Sequence, residues 1–319
     1  MLGVWIFLVS VSLNQSVKAQ DSNVQSLIRN ADILLKQQRY QEAIAYYDKA
    51  IALNSTNPHA LVWKGIALAN LGKHQEAITY YDKALAINSS DIYALNDKGL
   101  ALGSIGLYHE AITYLDKALA LNSTNSTKAD ILNNKGWALG NLGRYQEAIT
   151  YHDKALAINS TNSTKADILD DKGLALYDLG RYQEAITYYD KALAINSSDI
   201  YVLADKGRAL YILGRYQEAI TYYDKAIDIE PNYIFGLNNK GLALAKLGKY
   251  QEAITYYDKA LAINSTYIFA LNAKGLALSS LGKYQEAITY YDKALRLDPS
   301  FEPALNNRAN ALLKAQLKN

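Results

Sequence analysis

Lys240–Asn264 reads KGLALAKLGKYQEAITYYDKALAIN, and near copies of this string recur along the chain. The Ala of its QEAI (or HEAI) segment falls at Ala43, Ala77, Ala111, Ala148, Ala185, Ala219, Ala253 and Ala287. The step is thirty-four residues, stretched to thirty-seven on either side of Ala148. A period of this size denotes a stack of small supersecondary units, none able to bury its apolar face alone.

Each copy reads as two helices. In the copy at 58–91, Leu61, Leu68 and Leu71 recur at helical spacing, and the run stops at Gly72, which suits the left-handed residue after a helix. A second helix follows from about His74 to Ala86, with Ala77, Ile78, Tyr81, Ala84 and Leu85 as its apolar stripe. Gly65 inside the first helix costs about 1 kcal/mol relative to Ala. Close approach of the paired helix at Ala77 is the expected compensation.

The string resembles the tetratricopeptide repeat (TPR). Small residues stand at repeat positions eight, twenty and twenty-seven (Gly65, Ala77, Ala84), an aromatic at twenty-four (Tyr81) and a turn Gly at fifteen (Gly72). The match covers Val24 to Phe301 as eight repeats: 24–57, 58–91, 92–125, 129–162, 166–199, 200–233, 234–267 and 268–301. Residues 302–319 form a C-terminal capping helix in which Leu305 and Leu312 are expected to face back among polar neighbours. The resemblance implies an all-α fold, a right-handed α-solenoid of antiparallel helix pairs. Departures from the family pattern are systematic: position seven is Lys (Lys64, Lys98, Lys135, Lys172, Lys206, Lys240, Lys274), and the first repeat carries Ala31 and Gln38 where others have Gly. The Lys stripe reads either as a functional cationic face or as stems that pack while their heads reach water or an Asp such as Asp82.

Half the residues are apolar and a fifth charged, as in an ordinary soluble folded chain. A net charge of +2 supplies no field to draw nucleic acid or an acidic membrane. The absence of cysteine excludes disulfides, thiolate metal sites and thiol catalysis. Apolar Leu2 to Leu13, polar Asn14 to Ser16 and then Val17-Lys18-Ala19 match a signal peptide over 1–19, which makes the mature chain secreted or extracellular. Without a functional leader it would be cytoplasmic. No later run reaches the ~18 apolar residues that span a bilayer.

In the family the ligand groove is the concave face, formed by the first helix of each repeat at positions two, five, six, nine, twelve and thirteen. Those positions vary here while the rest repeat. Position five carries Asn96, Asn133, Asp170, Asn238 and Asn272, which resembles the asparagine ladder of the TPR superhelix in O-GlcNAc transferase. An amide offers donor and acceptor together, which suits a peptide backbone; solvated surface Asn copied by duplication reads equally well. Asp97, Asp130, Asp167, Asp170, Asp171, Asp178 and Asp205 fall on the same face, with Tyr93, Trp137, Tyr177, Tyr201, Tyr211, Phe235 and Phe269. Together they favour a basic, partly apolar, extended peptide, opposed locally by Arg208 and Lys246.

His59, His74, His109 and His152 occupy different repeat positions, and no HExxH, GxSxG or Walker-type loop accompanies them. The sequence therefore implies no enzyme, no metal and no cofactor. Acceptor sequons begin at Asn54, Asn88, Asn122, Asn125, Asn159, Asn162, Asn196 and Asn264, nearly all at the turn between repeats. Glycosylation is one reading. The other is local geometry, with Asn ending a helix in the left-handed region and Ser or Thr capping the next. The sequence points to a non-catalytic scaffold for a protein or peptide segment, and not for nucleic acid. An extracellular self-assembling protein with glycosylated turns, or an accessory subunit of an enzyme complex, fits the same residues.

Overall fold

The computed structural model describes residues 20–121, 124–158 and 161–318, all in helices or short turns; the expected leader lies outside them. They divide into two compact units that meet in sequence at Ser160 and Thr161. The first holds α1 (20–36), α2 (Tyr40–Leu53), α3 (Pro58–Asn70), α4 (His74–Ile87), α5 (Ile92–Ser104), α6 (Tyr108–Leu119), α7 (Asn125–Asn141) and α8 (Tyr145–Leu156). The second holds α9 (Asn162–Asp178), α10 (Tyr182–Ile195), α11 (Ile200–Ile212), α12 (Tyr216–Ile229), α13 (Ile234–Lys246), α14 (Tyr250–Ile263), α15 (Ile268–Ser280), α16 (Tyr284–Leu297) and α17 (Glu302–Lys318). Odd-numbered helices open a repeat and even-numbered ones close it. Within each unit consecutive helices pack together, and successive opening helices also touch.

The turn inside a repeat is set by one residue. Gly72 sits at φ +75°, its N–H bonded to Ala69 O, while the Lys73 N–H reaches Leu68 O at 2.9 Å. This is the glycine C-cap that satisfies the carbonyls left over at the end of a helix. In the first repeat Gln38 occupies the same place at φ +60°, a side chain held where glycine belongs.

The glycine inside each opening helix makes room for a ring. A Cβ on Gly65 would lie 2.5 Å from Tyr81 Cε1, and Gly173, Gly207, Gly241 and Gly275 meet Tyr189, Tyr223, Tyr257 and Tyr291 in the same way. The approach expected between Gly65 and Ala77 is therefore an approach of Gly65 to the tyrosine one turn further on. Those rings are buried, so the repeat's largest side chain sits in the space its glycine vacates. Leu115 and His152 fill the corresponding sites over Gly99 and Gly136.

The recurrent Lys joins neighbouring repeats. Lys98 is buried, donates to Tyr114 Oη of its own repeat at 2.7 Å, and ion-pairs with half-exposed Asp82 of the preceding one. Lys64–Asp48, Lys135–Asp116, Lys206–Asp190, Lys240–Asp224 and Lys274–Asp258 repeat the pairing, and Arg308 takes the role against Asp292. Burial pulls the Lys98 ammonium down, but its bonds to Asp82 and Tyr114 outweigh that, and its pKa stands above the ordinary lysine value.

Two expectations need correction. In α17 the residues that face back are Ala304, Ala311 and Ala315, whereas Leu305, Leu312, Leu313 and Leu317 are exposed. Leu68, the equivalent of Leu312, is buried in a repeat whose closing helix is present; α17 has none after it among the described residues. The extra residues of the two thirty-seven-residue steps also go mainly into helices, although the sequons there were expected at turns. They extend the starts of α7 and α9, each 17 residues against 13 for α5, so Asn125 and Asn162 begin helices.

Candidate functional site

The variable side chains project from the opening helices, and the structure separates them into three groups. The amides bond chiefly to one another. Asn134 Nδ2 donates to Asn96 Oδ1 of the preceding repeat at 3.0 Å, Asn307 does the same to Asn272, and Asn96 Nδ2 donates to Asp97 at 2.9 Å. Asn133 is buried, its Oδ1 accepting from His152 Nδ1 at 2.8 Å. Asn238 is also buried, with Nδ2 on Asn239 and Oδ1 unpartnered. Two of the position-five amides, Asn96 and Asn272, thus serve junctions between repeats, where position six that follows is another amide, while Asn133 and Asn238 bond within their own repeats.

The acids gather in each unit separately. In the first, burial pushes the Asp97 carboxyl up to about 7, against the lowering effect of the Asn96 bond and with Asp91 and Asp130 adding to the rise. It lines a cavity of about 250 Å³ with Tyr81, Ile66, Leu100 and His74, whose Nδ1 is buried without a partner. In the second unit, burial and then Asp205, Asp171, Asp199 and Asp167 push Asp170 up to about 8. Asp205 is raised by burial, partly offset by Arg208, whose guanidinium stands 3.7 Å from it and 4.1 Å from the Tyr177 ring centre. Three buried polar atoms of this cluster have no hydrogen-bond partner: Asp170 Oδ1, Tyr189 Oη and Arg208 Nε. Asp167 is exposed and Asp171 half-buried. Because burial raises Asp97 and Asp170 toward neutrality, both are partly protonated there, and the negative field on these faces is smaller than a formal count of carboxylates gives.

The aromatics divide by depth. Trp137 lies against Gly103, where a Cβ would come 2.3 Å from its ring, and meets Tyr108 edge-on. Tyr177 pairs with Tyr182 and Tyr211 with Tyr216, each across a within-repeat turn. Tyr93, Tyr201, Phe235 and Phe269 are more than half exposed. The last three join Tyr233, Tyr267 and Phe301, which the sequence reading passed over because position thirty-four is outside the family's groove positions. The recurring Tyr-Ile-Phe at 233–235 and 267–269 is the signal that would have found them. A second cavity, about 350 Å³, lies between α13 and α15, lined by Tyr211, Lys246, Tyr250, Tyr257, Leu276 and Ser280 among others.

At the repeat junctions, Asn54, Asn88, Asn196 and Asn264 are extended (φ −143°, −133°, −128° and −135°), not left-handed. Each side-chain oxygen accepts the N–H two residues on, and Asn54, Asn196 and Asn264 accept the Ser or Thr hydroxyl as well. Asp298 and Ser300 make the same turn without a sequon. Thr124 and Thr161 do cap the following helices, while Asn57, Asp91 and Asp199 cap elsewhere. Asn122 and Asn159 lie outside the described residues.

Models of the tetratricopeptide repeat match residues 28–92 and 171–234, and 90–161 and 233–300. The chain belongs to the tetratricopeptide repeat family. Solved structures resemble this TPR chain in fold. They include Cut9–Hcn1, an APC/C heterotetramer (18% identity, TM-score 0.67, covering 92% of this chain and 58% of that one). A TPR protein from Parabacteroides merdae matches at 16% identity and TM-score 0.61, covering 81% and 99%. The C-terminal part of a TPR protein from Cytophaga hutchinsonii matches at 20% and 0.55, covering 76% and 97%. This chain thus spans little more than half the length of the first of these. No curated protein matches the sequence. TPR membership makes the chain a protein-interaction scaffold. Among the described residues no helix is long and apolar enough to cross a membrane, and no three His, Asp or Glu side chains are grouped to hold a metal.

Proposed function

We propose that this TPR chain holds an extended, basic, partly apolar segment of a partner protein along the faces of its opening helices, without catalysing a reaction on it. The observation that carries this reading is the trio of buried, unpartnered atoms at Asp170, Tyr189 and Arg208. Buried polar groups are normally satisfied, and a ligand lysine or arginine entering here would bond Asp170 and return its carboxyl to the ionised form. The test is titration of a lysine- and arginine-rich peptide against wild type and a variant with Asp167, Asp170 and Asp171 all changed to Asn. The variant should bind it more weakly with a flatter salt dependence; unchanged binding removes the reading.

The exposed leucines of α17 favour a second one, end-to-end stacking of copies. Leu312→Ser and Leu317→Ser would then abolish concentration-dependent light scattering. The leader at 1–19 and the exposed Asn88, Asn196 and Asn264 support export with glycosylated turns. The N-terminal sequence and intact mass of native material test both.

A further inference from the structure

Six aromatic rings, three exposed and three half-buried, form a continuous row across the last three repeats. Tyr201 meets Tyr233 at 87° (centroids 6.1 Å), Phe235 meets Tyr267 at 82° (6.0 Å), and Phe269 meets Phe301 at 87° (5.7 Å). Tilted contacts, Tyr233–Phe235 at 6.0 Å and Tyr267–Phe269 at 5.5 Å, link these pairs into one row. The rings stand at the starts of α11, α13, α15 and α17, and Tyr201, Phe235 and Phe269 are 64%, 57% and 52% exposed. Tyr233 and Tyr267 are half-buried, Tyr267 packing with Leu237 and Ala270, whereas Tyr201, Phe235 and Phe269 stand outward; two copies earlier the residues corresponding to Tyr233 and Phe235 are Lys165 and Asp167.

Two perpendicular rings make a notch. Three such notches follow one another at one per repeat. Successive opening helices touch here, and packed helices lie about 8–10 Å apart. A polyproline II helix presents the same face every third residue, about 9 Å, whereas a β-strand returns to one face after about 7 Å or 13 Å. A pyranose stacks flat on a ring face and gains little from rings set edge to face, while a pyrrolidine ring fits between two walls. At the Tyr201 end the row begins beside Asp199, whose carboxylate accepts the Tyr201 N–H at 3.1 Å. Burial, then Asp205 and Glu230, raise the Tyr233 hydroxyl against the opposing Arg208, so carboxylates outnumber the one cation around it.

We propose that this row is a docking track for a proline-rich segment in the polyproline II conformation, with a basic residue at the Tyr201 end. The preformed helix gives up little chain entropy on binding, which suits a shallow track. The inference deepens the proposed function and rests on it, because it names what the extended segment is over these repeats.

The test uses the full chain and a fluorescein-labelled peptide with proline at every third position and one terminal arginine, followed by anisotropy. The peptide should bind, and Phe235→Ala with Phe269→Ala should weaken it at least about tenfold at an unchanged melting temperature. Phe235→Tyr with Phe269→Tyr keeps the notch walls and should retain binding. Asp205→Asn with Glu230→Gln should weaken the arginine peptide and leave its glutamine counterpart unaffected. Equal binding of a scrambled peptide, binding of a cello-oligosaccharide instead, or a self-association that the alanine variants abolish would each overturn the proposal. If the lysine- and arginine-rich peptide binds and the proline peptide does not, this inference alone fails; if neither binds, both fail.

Discussion

Lys98 and Asp82 belong to different repeats, yet they form one ion pair in which the ammonium is buried and the carboxylate half exposed. The two partners are therefore unequal. Asp82→Ala strands a buried cation and should cost about 1–3 kcal/mol. Lys98→Met leaves behind only a carboxylate that water reaches and a tyrosine hydroxyl, and should stay within about 1 kcal/mol of wild type. Urea melts of the two variants check the asymmetry; equal losses would contradict it.

Glycine-to-alanine changes should have opposite signs at two helical sites. Helix propensity favours Ala by about 1 kcal/mol at both. At Gly241 the new methyl would stand 2.4 Å from Tyr257 Cε1, and overpacking of about 1–3 kcal/mol wins. At Gly140 the nearest atom is Ala148 Cβ at 3.9 Å, an ordinary contact, so Gly140→Ala should stabilise. Thermal unfolding reads both.

Gln38→Gly should stabilise the first repeat by about 0.5–1 kcal/mol. The left-handed conformation at φ +60° costs a side chain more than the entropy that glycine adds to the unfolded chain. Hydrogen exchange of α1 and α2 amides should slow.

Stability should fall as pH rises from about 4 to 8. Asp97 and Asp170 bind their protons more tightly folded, at about 7 and about 8, than unfolded, at about 4. Their contribution is full below the unfolded value and is lost as pH rises through the folded ones. Asp170→Asn should raise the urea midpoint at pH 8, leave it little changed near pH 4, and flatten the slope between.

The period made the helix pairs legible, and Gly72 and His74 marked the turn between α3 and α4 to within a residue or two. Contacts between copies were harder to read. Asp82 was legible as a landing place for a Lys head, but its partner is Lys98 of the following repeat, sixteen residues on, and that pairing depends on how consecutive helices lie together. The close approach at Gly65 was legible, but not the group that makes it, a ring four residues beyond Ala77 on the paired helix. The candidate site was legible as a set of variable positions, but not in its bonding. Asn96 looks like a free amide until Asn134 of the next repeat is brought against it. Protonation of Asp170 depends on burial, which identity alone does not give.

Each Lys–Asp junction is written half in one copy and half in the next, so the chain is a string of matching plugs and sockets. Excising residues 234–267 would bring the Asp224 socket to the Lys274 plug, and inserting another whole copy would supply one of each. Arg308 closes the last socket, at Asp292, whatever the number of copies before it. Length can thus change by whole repeats without orphaning a buried ammonium, which lets the reach of the scaffold be adjusted by unequal recombination without redesigning its joints.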